Sequence, residues 1–292
     1  MTSSVSFLDR LNNQQREAVL TDTRSVLVVA GPGTGKTHTL TTRLAYLLNR
    51  QDITPDSLLA LTFTTRAARE MRERLRQLVG EAAQQVFIGT FHSLCVHLLR
   101  AEGHYLGLSP TFQVCDRHDQ VTILQSVLRR LARRDSRAEA QRILHQFSRV
   151  RNLSVEVELE LERAGLRDIY EAYRERLRKR GLLDFDELLL LGVYVLERQP
   201  ALRQRWAGQF RFLSVDEYQD VNPVQLRLIR GLWEAGSHLW AVGDGDQAIY
   251  SFRGTQPQQF LNFENDFPGG LVRFLEKSYR FPPHIAIAAS QV

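Results

Sequence analysis

Short apolar runs alternate with amphipathic stretches through the first 90 residues. "SVLVVAG", "SLLALTF" and "QQVFIGT" are nearly continuous blocks of Val, Leu, Ile and Phe, as expected of strands buried on both faces, and the segments between them carry apolar residues at helical spacing. Repetition of strand and helix predicts a parallel α/β sheet. From residue 91 to 206 the pattern changes. β-branched runs almost vanish, and Arg, Leu and Glu dominate "TILQSVLRRLARRDSRAEAQRILHQFSRV" and "LRDIYEAYRERLRKR", which predicts an α-helical insertion. "VEVELELE" at 155–162 alternates like a strand but is flanked by helical signals, so a solvated helix or turn is favoured. Strand-like runs return in "FRFLSVDE" and "SHLWAVGD", so the sheet is expected to be completed after the insertion. The chain closes on "PPHIAIAASQV", a helical run without a terminating cap that reads as cut mid-element.

Two strand ends carry chemistry. In "AGPGTGKT" a strand feeds a glycine-rich loop and then a helix, which presents backbone N–H groups and a helix N-terminus to phosphate. Gly31, Gly33 and Gly35, with Thr34 among them, would let the backbone close around a β-phosphate. Lys36 would reach the β- and γ-phosphates, and the Thr37 hydroxyl would ligate Mg²⁺. Ala30 stands where the strict pattern has its first glycine. The second strand end, "FLSVDEYQD", supplies Asp216 for the Mg²⁺ shell and Glu217 as the base that polarises the attacking water. Triphosphate binding with hydrolysis is therefore expected. An Asn-Lys-x-Asp guanine signature and a Leu-Ser-Gly-Gly-Gln transporter signature are both absent from the sequence.

Composition changes this picture only modestly. The 292 residues are 43% hydrophobic with a net charge of +5, enough for one large or two ordinary domains. The basic side chains are 35 Arg and three Lys. Arginine forks onto phosphate, which suits a nucleic-acid partner; coding composition would produce the same bias. The longest uncharged apolar stretch, "LLLLGVYVL", falls well short of the roughly 20 residues that span a bilayer, and the N-terminus does not read as a secretory leader. A cytoplasmic protein with no membrane association is expected. Cys95 and Cys115 have no partners at metal spacing and read as ordinary thiols.

Taken together, "LNNQQREAV", "AGPGTGKT", "LTFTTRAAREMRERL", "IGTFHSL", "LLDFDELLLL", "VDEYQDVNPVQ", "AVGDGDQAIYSFRG" and "KSYR" occur in the order and at the spacing of one family. Over residues 11–280 the chain resembles the UvrD/Rep/PcrA group of superfamily 1A DNA helicases. The resemblance implies a RecA-like P-loop NTPase domain (1–90 and 207–276) interrupted by the helical insertion (91–206), with 277–292 starting a second RecA-like domain that the chain lacks. It implies ATP and Mg²⁺ as cofactors and 3′ to 5′ translocation on single-stranded DNA. Gln15 would read the adenine edge, Tyr279 would stack on adenine, and His38 stands where the family often has a covering Arg. Gln247 would couple the γ-phosphate to DNA, and Arg280 would stabilise charge on the transferring phosphoryl group.

On the DNA side, Thr62, Phe63 and Thr64, Phe91 with His92, and Tyr250 with Phe252 would form the track along one strand. Phe63, Phe91 and Phe252 could instead be core aromatics. Arg66, Arg69, Arg72 and Arg76 could touch phosphates or simply form a solvated face. Phe252 replaces the family's frequent Trp, and "YRFPP" departs from the usual continuation after "YR". Arg280 is expected to sit on an untethered stub, making the isolated chain a half motor without unwinding activity. A helicase-nuclease motor and a non-motor ATP- or DNA-binding module are the alternative readings.

Overall fold

The computed structural model describes residues 7–154, 156–247 and 260–280. Six parallel strands form the central sheet: β1 (Ser25–Ala30), β2 (Leu58–Thr62), β3 (Phe87–Thr90), β6 (Phe212–Val215), β7 (His238–Gly243) and β8 (Leu271–Leu275). Their order across the sheet is β3-β2-β6-β7-β1-β8. The apolar runs of the sequence became five of these strands. The edge strand β8, "LVRFL", was not anticipated; Arg273 interrupts its apolar pattern, and Phe274 is exposed.

Period-two alternation splits each buried strand between two cores. Val26 and Val28 of β1, Leu58 and Ala60 of β2, and Trp240 and Val242 of β7 face one way. They pack on Leu40 and Leu44 of α2 (Lys36–Leu48) and Met71 and Leu75 of α3 (Thr65–Val79). Leu27, Leu59, Leu61, Leu213 and Ala241 face the other way. That second core is completed by α4 (Phe91–Glu102), α9 (Phe185–Arg198), α10 (Pro200–Gln209) and α11 (Pro223–Glu234). At the chain's start α1 (Asn13–Leu20) packs beside α2.

A third core stands apart, built from α5 (Arg117–Arg130), α6 (Arg137–Leu153), α7 (Val157–Arg163) and α8 (Arg167–Lys179) around Phe147, Tyr170 and Tyr173. Segment 157–163 is helical despite its strand-like alternation. The neck is a two-residue parallel ladder, β4 (Gln113–Val114) on β5 (Leu182–Leu183), in an insertion expected to be all helix. The separately cored unit therefore spans about 113–183, narrower than the expected 91–206, because α4, α9 and α10 bury their apolar faces against the sheet. Cys95 lies in the sheet's core and Cys115 in the helical core, both as buried thiols pushed up to about 12 by desolvation.

Candidate functional site

Neighbouring strands in a sheet lie about 4.8 Å apart, so the adjacent strands β1, β7 and β6 bring three C-terminal loops side by side. After β1 the chain turns through Gly33 and Gly35 at φ of 79° and 88°, the left-handed region that glycine enters without strain. Gly35 is the N-cap of α2, so the loop's amides and the helix N-terminus converge. The Thr34 hydroxyl donates to the Gly31 carbonyl at 2.8 Å, stiffening the turn. Buried Gln15 donates from Nε2 to the Thr34 carbonyl at 2.9 Å, and its Oε1 accepts from the Asn12 N–H at 3.1 Å.

The "KSYR" segment lies on this loop. The Tyr279 N–H donates to the Gly33 carbonyl at 2.9 Å, the Ser278 hydroxyl donates to the Pro32 carbonyl at 3.0 Å, and Asn12 donates to the Tyr279 hydroxyl at 2.8 Å. A side chain at Gly33 would collide with Arg280. The expectation that Arg280 sits on an untethered stub is therefore corrected: two backbone carbonyls of the phosphate loop hold the segment through residue 280.

A polar chain links the other two loops. Lys36 Nζ donates to the Ala30 carbonyl at 3.1 Å and pairs with Asp244 Oδ2 at 3.4 Å. Gln247 donates to the same Asp244 oxygen at 2.6 Å. The Asp244 N–H donates to Gln219 Oε1 at 2.9 Å, and Gln219 Nε2 donates to Glu217 Oε2 at 2.8 Å. Glu217 adopts φ 50° and ψ 48°, a left-handed conformation that costs a non-glycine residue about 1–3 kcal/mol and clusters at working sites. Asp216 is 6% exposed; burial and then the Glu217 charge push its carboxyl up to about 7, while Lys36 and Arg74 pull the other way. Asp244 and Gln219 went unassigned in the sequence reading although both lie inside its motifs.

Thr37 is half-buried in the first turn of α2. His38 beside it is held below the usual histidine range by burial, then by Arg74 and Arg10. Arg74, to which the sequence reading gives no role, lies on α3 two residues from both Arg72 and Arg76. Three of the α3 arginines singled out from the sequence are spent locally. Arg66 pairs with Glu70 at 2.9 Å, Arg76 with Glu73 at 3.0 Å, and Arg72 donates to the Ile88 carbonyl.

The strand-side residues divide. The Thr62 hydroxyl donates to the Thr64 carbonyl at 2.9 Å, and the Thr64 hydroxyl caps α3 by accepting from the Ala67 N–H at 3.1 Å. Phe63 is half-buried between them. Phe91 is 3% exposed inside the core beneath the sheet. That leaves no ring face for a base, so its expected place on the track is corrected to a packing role. His92, its neighbour, meets Phe185 edge-on at 5.5 Å between ring centroids, and Phe185 is 49% exposed. Phe185 is the unassigned aromatic of "LLDFDELLLL", an exposed ring in an otherwise buried helix start. Tyr250 and Phe252 lie outside the described residues.

The model of the UvrD/REP helicase N-terminal domain matches residues 11–268. The chain belongs to this family. It is 36% identical over 293 residues to the ATP-dependent DNA helicase PcrA of Staphylococcus aureus (strain Mu50), and equally to PcrA of Staphylococcus epidermidis (strain RP62A). Each match covers 98% of this chain and 40% of the relative, so this UvrD/REP domain spans about two fifths of the length of those helicases. Among the described residues no helix is long and apolar enough to cross a membrane.

Proposed function

We propose that the chain is the ATP-binding part of a DNA helicase motor that steps 3′ to 5′ along single-stranded DNA, with the other half of the nucleotide site supplied by a second RecA-like domain. The observation that carries this reading is Asp244, whose carboxylate takes Lys36 and Gln247 on one oxygen and whose backbone N–H connects through Gln219 to Glu217. A phosphate that draws Lys36 away releases Asp244 and alters both other loops.

The residues fit Mg-ATP. The two left-handed glycines and the start of α2 form an anion cradle. The hydroxyl of Thr37 and the carboxylate of Asp216 are hard oxygen donors, and Asp216 is short of positive charge where a cation would lie. The ion, when bound, would neutralise phosphate charge; Glu217 would orient a water, Gln15 would meet the adenine edge by leaving its bonds to the Thr34 carbonyl and the Asn12 N–H, and His38 and Tyr279 would flank the ring. Arg280, whose backbone lies against Gly33 of the loop, would stabilise charge on the transferring phosphoryl group. Phe63, His92 and Phe185 support one side of the strand.

Lys36→Ala should weaken Mg-ATP at least 100-fold by nucleotide titration; unchanged affinity would remove the phosphate-loop assignment. Glu217→Gln should retain nucleotide and, in a motor complete with its second domain, lose turnover. Normal turnover would place the base elsewhere.

A further inference from the structure

The second polar network of the molecule lies where the helical unit meets the sheet domain. Arg151, 1% exposed on α6, reaches across to α9. It donates to both oxygens of Asp184 at 2.9 and 3.0 Å and to Asp186 Oδ2 at 3.0 Å. Next to it, Asn152 Nδ2 donates to Asp186 Oδ1 at 2.8 Å, and Asn152 Oδ1 accepts from Asn222 Nδ2 at 2.9 Å. Asn222 caps α11 through a box with Gln225 and directly follows the acidic loop, whose turn closes through Asp220 N–H to the Glu217 carbonyl at 2.9 Å. Asp184 and Asp186 flank Phe185 on either side in sequence.

These contacts make one continuous path. It runs from the strained Glu217, through the short turn to Asn222, across the single residue Asn152 of the helical unit, into Asp186 and the ring of Phe185 against His92. α9 and α11 also pack directly on each other, and the Asn152 link joins their N-terminal ends through buried polar groups. We propose that Asn152 is a positioning residue that couples nucleotide at the acidic loop to the grip of Phe185 on the strand, with Arg151 fixing the two aspartates. The helical unit then acts as the third part of the transmission between the two sites. The proposal rests on the strand-contact reading of Phe185. It has a geometric reason: Asn152 Nδ2 donates both to Asp186 Oδ1 and to the Ser148 carbonyl of its own helix, each at 2.8 Å, which fixes the amide plane, and the amide oxygen on the opposite side accepts from Asn222. A shift of Asn222 of a few tenths of an ångström lengthens one of these bonds or moves Asp186, because buried amides have no water to turn to.

The test separates coupling from folding. In Asn222→Asp the Oδ1 acceptor that caps α11 is retained, but the donor to Asn152 is replaced by an oxygen facing an oxygen. Binding of a fluorescein-labelled single-stranded oligothymidylate to the 292-residue chain is followed by anisotropy at low salt. It is measured without nucleotide and with saturating Mg²⁺ and a non-hydrolysable ATP analogue.

The wild-type affinities should differ by at least about fivefold, the lower end of ordinary coupling. Asn222→Asp and Asn152→Ala should each bring that ratio to within about 1.5-fold of one, keep analogue affinity within about twofold, and act non-additively when combined. A wild-type ratio of one overturns the proposal, and so does a ratio that survives Asn222→Asp. Phe185→Ala tests the underlying reading by itself: it should weaken the oligonucleotide by about 5- to 150-fold, the range for one stacked base. Unchanged affinity there removes the strand contact. A weakened Phe185→Ala beside an intact Asn222→Asp ratio removes the coupling path alone.

Discussion

Among the described residues, the buried charges around Arg151 and those at the glycine loop are built on opposite terms. Around Arg151 every carboxylate has partners. Asp184 takes both oxygens to the guanidinium, accepts from the Tyr173 hydroxyl at 3.1 Å and caps α9 by accepting from the Glu187 N–H at 2.9 Å, while Arg174 donates to Glu187 at 2.9 Å. Asp186 is held below the usual carboxylate range even though burial pushes against this, because Arg151, Asn152 and Ser148 outweigh it. At the phosphate loop the balance is reversed. Asp216 is pushed up to about 7, Lys36 reaches Asp244 only at 3.4 Å, and Glu217 holds a strained backbone. A cluster that satisfies its own charges supports structure, whereas a cluster left short of positive charge stores free energy that a ligand can release.

Removing one charge from the satisfied cluster should therefore give the largest loss. Arg151→Ala leaves Asp184 and Asp186 buried without their counter-ion, and breaking such a pair costs about 3–5 kcal/mol. The denaturant midpoint of the helical unit, followed by circular dichroism, should fall accordingly. The effect should shrink as acid is added. Asp186, with its folded pKa lowered, contributes stability that is present above its unfolded value near 3.8 and is lost as pH falls through the folded value. A change under about 1 kcal/mol at pH 7 would mean that the cluster relaxes onto water.

The phosphate-loop cluster should respond with the opposite sign. Asp216 has its folded pKa raised, so between about 4 and 7 the native chain binds the extra proton and stability falls as pH rises. Asp216→Asn removes that cost and should stabilise the nucleotide-free chain at pH 8 by about 0.5–2 kcal/mol, while ending any stabilisation by Mg²⁺ with nucleotide. Thermal melts at pH 5 and pH 8, with and without Mg²⁺, read both halves. A variant less stable than wild type at pH 8 would show that Asp216 is held by partners as Asp186 is.

The contrast between the clusters also explains what could be read from the chain. The glycine turn after β1 and the acidic end of β6 were legible because their geometry is local: the strand, the closely spaced glycines and the helix start lie within a few residues of one another. Five of the six sheet strands were legible for the same reason, as unbroken apolar runs. The Arg151 cluster was not, since its members lie 33 to 35 positions apart and a lone arginine in a basic helix resembles its solvated neighbours. Phe91 misled because an aromatic in a strand-to-helix turn can face the track or the core, and only the packing of α4 under the sheet decides. Asp244 and Gln219 were passed over because their roles are set only in space, where Lys36 and Gln247 meet the Asp244 carboxylate and Gln219 joins the Asp244 N–H to Glu217. The boundaries of the insertion failed on a related point: α4 and α9 are as helical as α5 or α8, and which core they serve is not local information.

The smallest effect expected is at His38, on the rim of the unsatisfied cluster. Its pKa is lowered by burial, Arg74 and Arg10, so near pH 7 it is neutral and offers an adenine ring little cation–π attraction. Arginine at this position would bring a permanent charge toward Arg74 and Arg10, which opposes it in the empty chain. With ATP bound, the phosphates offset that repulsion and the guanidinium can stack on the base. His38→Arg should therefore lower the melting temperature of the free chain slightly and tighten ATP by about two- to fivefold, in line with about 0.5–1 kcal/mol for an exposed cation–π contact. The gain should be larger for ATP than for a triphosphate lacking a base. It should vary little between pH 7 and 8, because the arginine stays charged and a histidine held below its usual range is already largely neutral there. Equal affinity for ATP in wild type, His38→Arg and His38→Ala would place residue 38 away from the base and leave Tyr279 as the aromatic cover on the other side.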